Sequence, residues 1–544
     1  MANLLDRASV VLTPTAYNNG EVLCVKPDDG SGDFQFSRNS AATRFNSQGL
    51  VEDVQIISGN KVINGDFSNG STGWTIENTW TIGDGVANGN GASGSGEELK
   101  QSGVLISGRT YSATYEVKNY VSGTVRTERP LGSIRSANGV YTEILTAQTL
   151  IKFRGNNFNG SITNVVFKEI TNDTNLPRIN YEGFSYDGSG NIIPDSGCGS
   201  WLFEPQSTNL ITQSEALSTM QFQSVVTDNN LISPTGDINA SLVVENTATN
   251  IHGIRKTSVI PTNASATTYT ISVFAKKKER QYIQFGFNAE FAATNSSGFD
   301  LENGTTLGNA STHKIVDFGN GWYKCSFTAS ITQTTGGFNF VNIAIGTSIN
   351  SFFYAGDGTS GLYMFGYQVE QQSSATSYIP TDGSQKTRNK DVCTNGGSVS
   401  TINSTEGVLY AEIAALVEVD NARRFITLND GSASNGVVLR YEATGVINAR
   451  YQIGGVAQCS ISFATTITNT HKVAFKYAEN DFALWVDGVE VGIDDVGSVL
   501  GSNTINSIDF DHGGGAFPFF GKTKCLAVWK EALTDTELQE LTTI

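Results

Sequence analysis

The chain has 544 residues, with 58 glycines, only 3 methionines, and a formal net charge of −17 from 52 acidic against 35 basic side chains. That length exceeds what one hydrophobic core serves and predicts three or four domains. The glycines and the Ser/Thr/Asn-rich runs predict short strands joined by tight turns, hence an all-β protein. Phosphate binding needs clustered cations, so the acidic balance argues against a nucleic-acid partner. The basic run Lys276-Lys277-Lys278-Glu279-Arg280 is interrupted by a glutamate and reads as the solvated end of a strand. No apolar run approaches the roughly 18 residues of a membrane span, and the segment from Met1 lacks a signal-peptide pattern, so neither membrane insertion nor standard secretion is expected. The six cysteines and four histidines are scattered without metal spacing, which predicts free thiols made in a reducing cytoplasm and no zinc.

In chain order, Phe34 and Phe36 alternate with polar neighbours, Asn46 to Gly49 has turn chemistry, and Leu50, Val51 and Val54 resume the apolar pattern. The spacing predicts a strand-turn-strand. This stretch, Asp33-Phe34-Gln35-Phe36-Ser37-Arg38-Asn39-Ser40-Ala41-Ala42-Thr43-Arg44, resembles an N-terminal element of tailed-bacteriophage structural proteins. In that family the run continues almost at once into an N-L-P-R-I-D-Y segment and then an L-x-x-E-P-Q-x-T-N-L segment. Here the counterparts lie far downstream, as Asn175-Leu176-Pro177-Arg178-Ile179-Asn180-Tyr181 and Trp201-Leu202-Phe203-Glu204-Pro205-Gln206-Ser207-Thr208-Asn209-Leu210. The expected organisation is a virion-anchor element split into residues 1–60 and 172–207 around an inserted module, residues 61–171.

The insert opens with Asn64-Gly65-Asp66-Phe67-Ser68-Asn69-Gly70-Ser71-Thr72-Gly73-Trp74 and closes with Thr163-Asn164-Val165, which resembles the galactose-binding-like sandwich of carbohydrate-binding modules. The resemblance implies a sugar-stacking face, for which Trp74 and Trp80 are the candidates, the alternative for each ring being the core. It also implies a structural Ca²⁺, toward which Asp66 offers one carboxylate where six to eight oxygens are wanted; a turn-capping role is the alternative. No cofactor is otherwise required.

Residues 208–385 read as a second such sandwich, with Trp322 and Tyr323 packed inside it, and residues 386–393 have linker composition. Residues 394–544 carry two specific signals. Phe482 to Val491 contains an Asp487-Gly488 hairpin turn, and Thr534 with Glu537 forms a capping box at a short helix. Together with the Gly521–Gln539 stretch they resemble the laminin G, concanavalin A-like lectin fold, and the resemblances together imply a multidomain chain of antiparallel β-sandwiches (jelly rolls).

That fold includes glycanases, but Asp509-Phe510-Asp511-His512 and Glu490 with Asp494-Asp495 do not reproduce their carboxylate strand. No nucleophile elbow, phosphate loop or metallopeptidase helix is present, so no catalysis is expected. Asp509 and Asp511 share a strand face before the Gly513–Gly515 loop and are candidates for a ligand rim. The resemblances jointly imply a tailed-phage virion protein, assembled in the host cytoplasm: a homotrimeric tail or head fibre that joins other virion proteins and binds host-surface glycan. A capsid-decorating adaptor without sugar binding is the alternative, and a polysaccharide depolymerase is a third.

Overall fold

A computed structural model describes residues 2–543 except 78, 93–97, 187–191, 196, 288–295, 308–312, 335–338, 349–350, 419–422 and 444. It is an antiparallel all-β chain that divides into two compact units, Gln55–Asp173 and the remainder, Met1–Val54 with Thr174–Ile544.

The smaller unit is organised by two long strands, Thr110–Arg129 and Leu150–Asn172, which pair with each other and with four shorter strands, two further strands completing the eight-stranded sheet. The register between them shifts four times. Bulges of this kind bend a strand, so one continuous sheet encloses a core of Tyr111, Tyr115, Phe153, Phe158 and Phe167. The opening motif builds the entry loop. The Asn64 side chain binds the Gly70 and Thr72 carbonyls and the Asn69 amide, and Gly65 lies so close to Val165 that an added Cβ would stand 2.0 Å from its carbonyl oxygen.

In the larger unit the middle sandwich consists of two six-stranded sheets. Alternation along Thr267–Lys277 and Trp322–Ile331 sends Ile271, Val273, Cys325 and Phe327 into their shared core. Trp322 is buried and Tyr323 partly so. The basic run ends the strand Thr267–Lys277, with Lys277 paired to Glu302 and Arg280 to Glu245.

The C-terminal sandwich faces an eight-stranded sheet with a five-stranded one. Its hairpin turn falls on Asp487 and Gly488, both with positive φ (51° and 80°), between Asp481–Val486 and Val489–Asp494. The helix Asp535–Thr542 carries the reciprocal capping box of Thr534 and Glu537.

The flanking segments differ from the sequence expectation of a separate anchor and a linker. Val10–Leu12 and Ser200–Phe203 both pair with Gly521–Trp529, so the eight-stranded sheet is completed by residues from the beginning and middle of the chain. Phe34, Phe36, Trp201 and Phe203 belong to the C-terminal core. Segments this short cannot bury a core of their own, and an open sheet edge offers unpaired backbone groups that they satisfy. Within the presumed linker, Lys386–Arg388 pairs with Ser207–Asn209, and Val392–Thr394 pairs with Phe34–Ser37.

The three segments that resemble the phage element meet in one buried ion cluster. Arg178 bonds Glu204 (2.6 Å) and Asp391, Arg388 bonds Glu204 (2.7 Å), and Arg38 reaches Asp391 (3.2 Å). Glu204 also accepts from the Ser377 amide (2.8 Å) and hydroxyl (2.7 Å). Burial alone would raise the Glu204 carboxyl, but Arg388 and Arg178 outweigh it and hold it far below the usual carboxylate range.

Candidate functional site

On the strand Trp322–Ile331 the residues that alternate with the core, Lys324, Ser326 and Thr328, face away from it. The edge strand His313–Asp317 pairs so that Lys314 lies opposite Ser326 and Val316 opposite Lys324. One outer patch of the sheet therefore carries two lysines, two hydroxyls and an apolar residue. The Leu416–Glu418 segment of the C-terminal sandwich, with Phe45, Glu182, Ser373 and Ser374, walls this patch into a cleft of about 670 Å³. That lies within the range of small-ligand sites. Phe45 and Phe318, with ring centroids 4.3 Å apart, form its apolar part.

The charges in the cleft are unevenly compensated. Glu182 is paired with Lys522, and Glu418 is held by the Ile467 and Thr468 amides (both 3.3 Å) and the Thr468 hydroxyl (3.2 Å). Lys324 donates to the Thr376 carbonyl at 2.8 Å and stands 5.7 Å from the centre of the Phe274 ring. Among the described residues neither Lys314 nor Lys324 has a carboxylate within ion-pairing distance. Desolvation lowers both ammonium groups; for Lys314 the charge of Lys522 adds to it and that of Glu182 opposes it, and for Lys324 the charges of Glu370 and Glu204 oppose it. The cleft thus brings ammonium groups and hydroxyls together with an apolar wall.

The residues singled out from the sequence lie elsewhere and have structural partners. Trp74 is buried, stacks against Phe67 at 5.2 Å and donates its indole N–H to the Asn64 carbonyl (3.0 Å). Trp80 is buried against Phe158, with ring centroids 6.0 Å apart. Neither ring offers a face to a sugar, because both close the core of the insert. Asp66 is exposed and its Oδ1 accepts from the Ser68 amide (3.2 Å) and hydroxyl (3.0 Å), which lower its pKa. This is a turn cap. With one carboxylate, and no group of three or more His, Cys, Asp or Glu among the described residues able to hold a metal, the donor set does not fit Ca²⁺.

Asp509 and Asp511 are buried at 4% and 2% exposure, not on an open rim. Asp509 accepts from the Asn395 amide (2.5 Å), the Ser507 hydroxyl (2.9 Å) and the Asn429 amide group (2.8 Å), while Asp511 accepts from the Gly513 amide (2.7 Å). Both tie the base of the glycine loop to the five-stranded sheet. Burial, and then the charge of Asp509, raise the Asp511 carboxyl.

No protein-family model matches this chain, and no curated protein matches it. Solved structures do. The CBM40 module of the Ruminococcus gnavus IT-sialidase, bound to alpha2,3 sialyllactose, is 15% identical, with 27% of this chain and 93% of that one covered and a TM-score of 0.24. A putative carbohydrate-binding protein from Bacteroides ovatus is 15% identical over 52% of this chain and 82% of that one (TM-score 0.23). Domains LG4-5 of the mouse laminin alpha1 chain are 10% identical over 53% and 90% (TM-score 0.19). These neighbours are carbohydrate-binding modules and laminin G domains.

Proposed function

We propose that this chain is a non-enzymatic structural protein of a tailed-bacteriophage particle, a trimeric tail or head fibre that binds surface glycan through the cleft between its middle and C-terminal sandwiches. The observation that carries the binding reading is the cleft itself: hydroxyls, ammonium groups and an aromatic pair around a volume fit for a short saccharide. The virion reading rests on the sequence resemblance. It is supported by the way the three resembling segments form one buried ionic joint, which makes them a single structural element despite the inserted module. Weak single contacts multiplied over the copies on a particle raise avidity without any new contact. Binding without catalysis also suits the aspartates nearest to a glycanase arrangement, whose oxygens are engaged by backbone and side-chain donors.

The full-length chain is to be screened on a glycan array, and intact virions labelled with an antibody against residues 394–544. Glycan signal together with label on a tail or head fibre is expected. Array silence with label over the capsid surface would replace this reading with that of a decorating adaptor.

A further inference from the structure

The cleft sits on a protein of strongly negative net charge, yet it holds two ammonium groups with no carboxylate within ion-pairing distance among the described residues. Its two carboxylates are already engaged, Glu182 by Lys522 and Glu418 by the Ile467 and Thr468 amides. The two ammonium groups have only the Thr376 carbonyl between them. Pairing across the two strands places Lys314 and Lys324 on one face, with Val316 and Ser326 completing the patch. Two cations on diagonal positions of the strand pair, about 7–8 Å apart along the backbone, suit an anion on one sugar unit and a hydroxyl or second anion on the next. Phe45 and Phe318, both buried, contribute apolar wall to the cleft and not an open stacking face.

We infer that the cleft selects acidic saccharides, sugars bearing a carboxylate or a sulfate, with Lys314 and Lys324 as the residues that discriminate against neutral ones. The inference rests on the glycan-binding reading of the same cleft and adds the ligand's charge to it. Nothing in the arrangement calls for chemistry. The ligand is held by charge-assisted hydrogen bonds, which are stronger than neutral ones and weaken as salt screens the exposed Lys314 end.

The experiment is calorimetric titration of the full-length chain with an oligogalacturonide tetrasaccharide, a chondroitin sulfate tetrasaccharide and neutral cellotetraose, repeated on Lys314→Gln and Lys324→Gln. The Lys314 side chain is exposed and makes no hydrogen bond among the described residues, so K314Q is expected to leave the fold intact; both variants are checked by their melting curves. At least one acidic tetrasaccharide is expected to bind about tenfold or more tighter than cellotetraose, the magnitude of one charge-assisted hydrogen bond, and K314Q is expected to remove most of that advantage. A larger gain with the oligogalacturonide than with the sulfated probe assigns the anion as carboxylate, and the reverse assigns it as sulfate. Cellotetraose binding as tightly as both acidic probes, with K314Q unchanged, overturns the inference and leaves the glycan-binding reading standing. No binding of any probe overturns both.

Discussion

Replacing Glu204 by glutamine tests the ionic joint with almost no change of shape. The carboxylate accepts four hydrogen bonds, two of them from guanidinium groups. In one orientation the new amide group points its N–H at Arg178 and Arg388, and in the other at the Ser377 amide. Neither satisfies every donor. Asp391 would then be the carboxylate left to Arg38 and Arg178, and Arg388 would lose its ion-pair partner. Removing one partner of a buried pair costs about 3–5 kcal/mol. At about 2–4 °C per kcal/mol for a folding unit of 150–250 residues, and less for a larger one, a fall of roughly 5 °C or more is expected in the melting of the larger unit. Scanning calorimetry of the full chain supplies its own control, because residues 55–173 form a separate compact unit whose transition should not move. The effect is also pH-dependent. The folded Glu204 carboxyl lies below its unfolded value of about 4.3, so its contribution is fully present above that pH and is lost progressively as pH falls below it. Glu204→Gln should therefore flatten the acid limb of the stability profile. A melting point within about a degree of the parent at pH 7 would refute the claim that the cluster holds the larger unit together.

Gly65→Ala, by placing a methyl group 2.0 Å from the Val165 carbonyl oxygen, should lower the melting of the insert alone, read from the same calorimetric trace. Thr534→Ala removes a capping box and should cost about 1 kcal/mol in denaturant unfolding of the larger unit, with glycan binding unchanged. Asp511→Asn removes a carboxyl whose folded pKa is raised. Such a group favours folding in its neutral form, an advantage present below its unfolded pKa and lost as pH rises through the folded one, so the variant should match or exceed the parent's stability at pH 7 and lose that edge in acid. Adding or chelating Ca²⁺ should leave the melting of the insert unmoved, as should Asp66→Asn, which keeps the turn-capping oxygen.

Local grammar was readable from the sequence where it depends on neighbours in the chain. Asp487-Gly488 and the Thr534–Glu537 box announce their own geometry, and the alternation at Phe34 and Phe36 appears as the strand Phe34–Ser37. The cleft was not readable. Alternation marks Lys324, Ser326 and Thr328 as facing away from the middle core, but whether that face meets water or another sandwich depends on docking between residues a hundred positions apart. The aromatic and acidic residues that attract attention in a sequence, Trp74, Trp80, Asp509 and Asp511, are the ones the fold buries. Arg388 and Asp391 were hidden differently. They lie in a stretch of linker composition, and only the convergence of Arg38, Arg178 and Glu204 from distant segments gives them partners.

The pairing of Val10–Leu12 with Gly521–Trp529 has a consequence for biosynthesis. A chain emerges from the ribosome at about 5–20 residues per second, so the first strand waits some tens of seconds for its partner to be made. During that time Val10, Leu12, Phe34 and Phe36 have no core to enter, while the insert has all its strands by residue 173 and folds without them. The topology sets an expected order of assembly, with the insert, whose strands are all made by residue 173, ahead of the C-terminal sheet, which takes up Val10–Leu12 as it closes. Ribosome-stalled chains ending before residue 521 should be open to protease in their first 54 residues and resistant over 55–173.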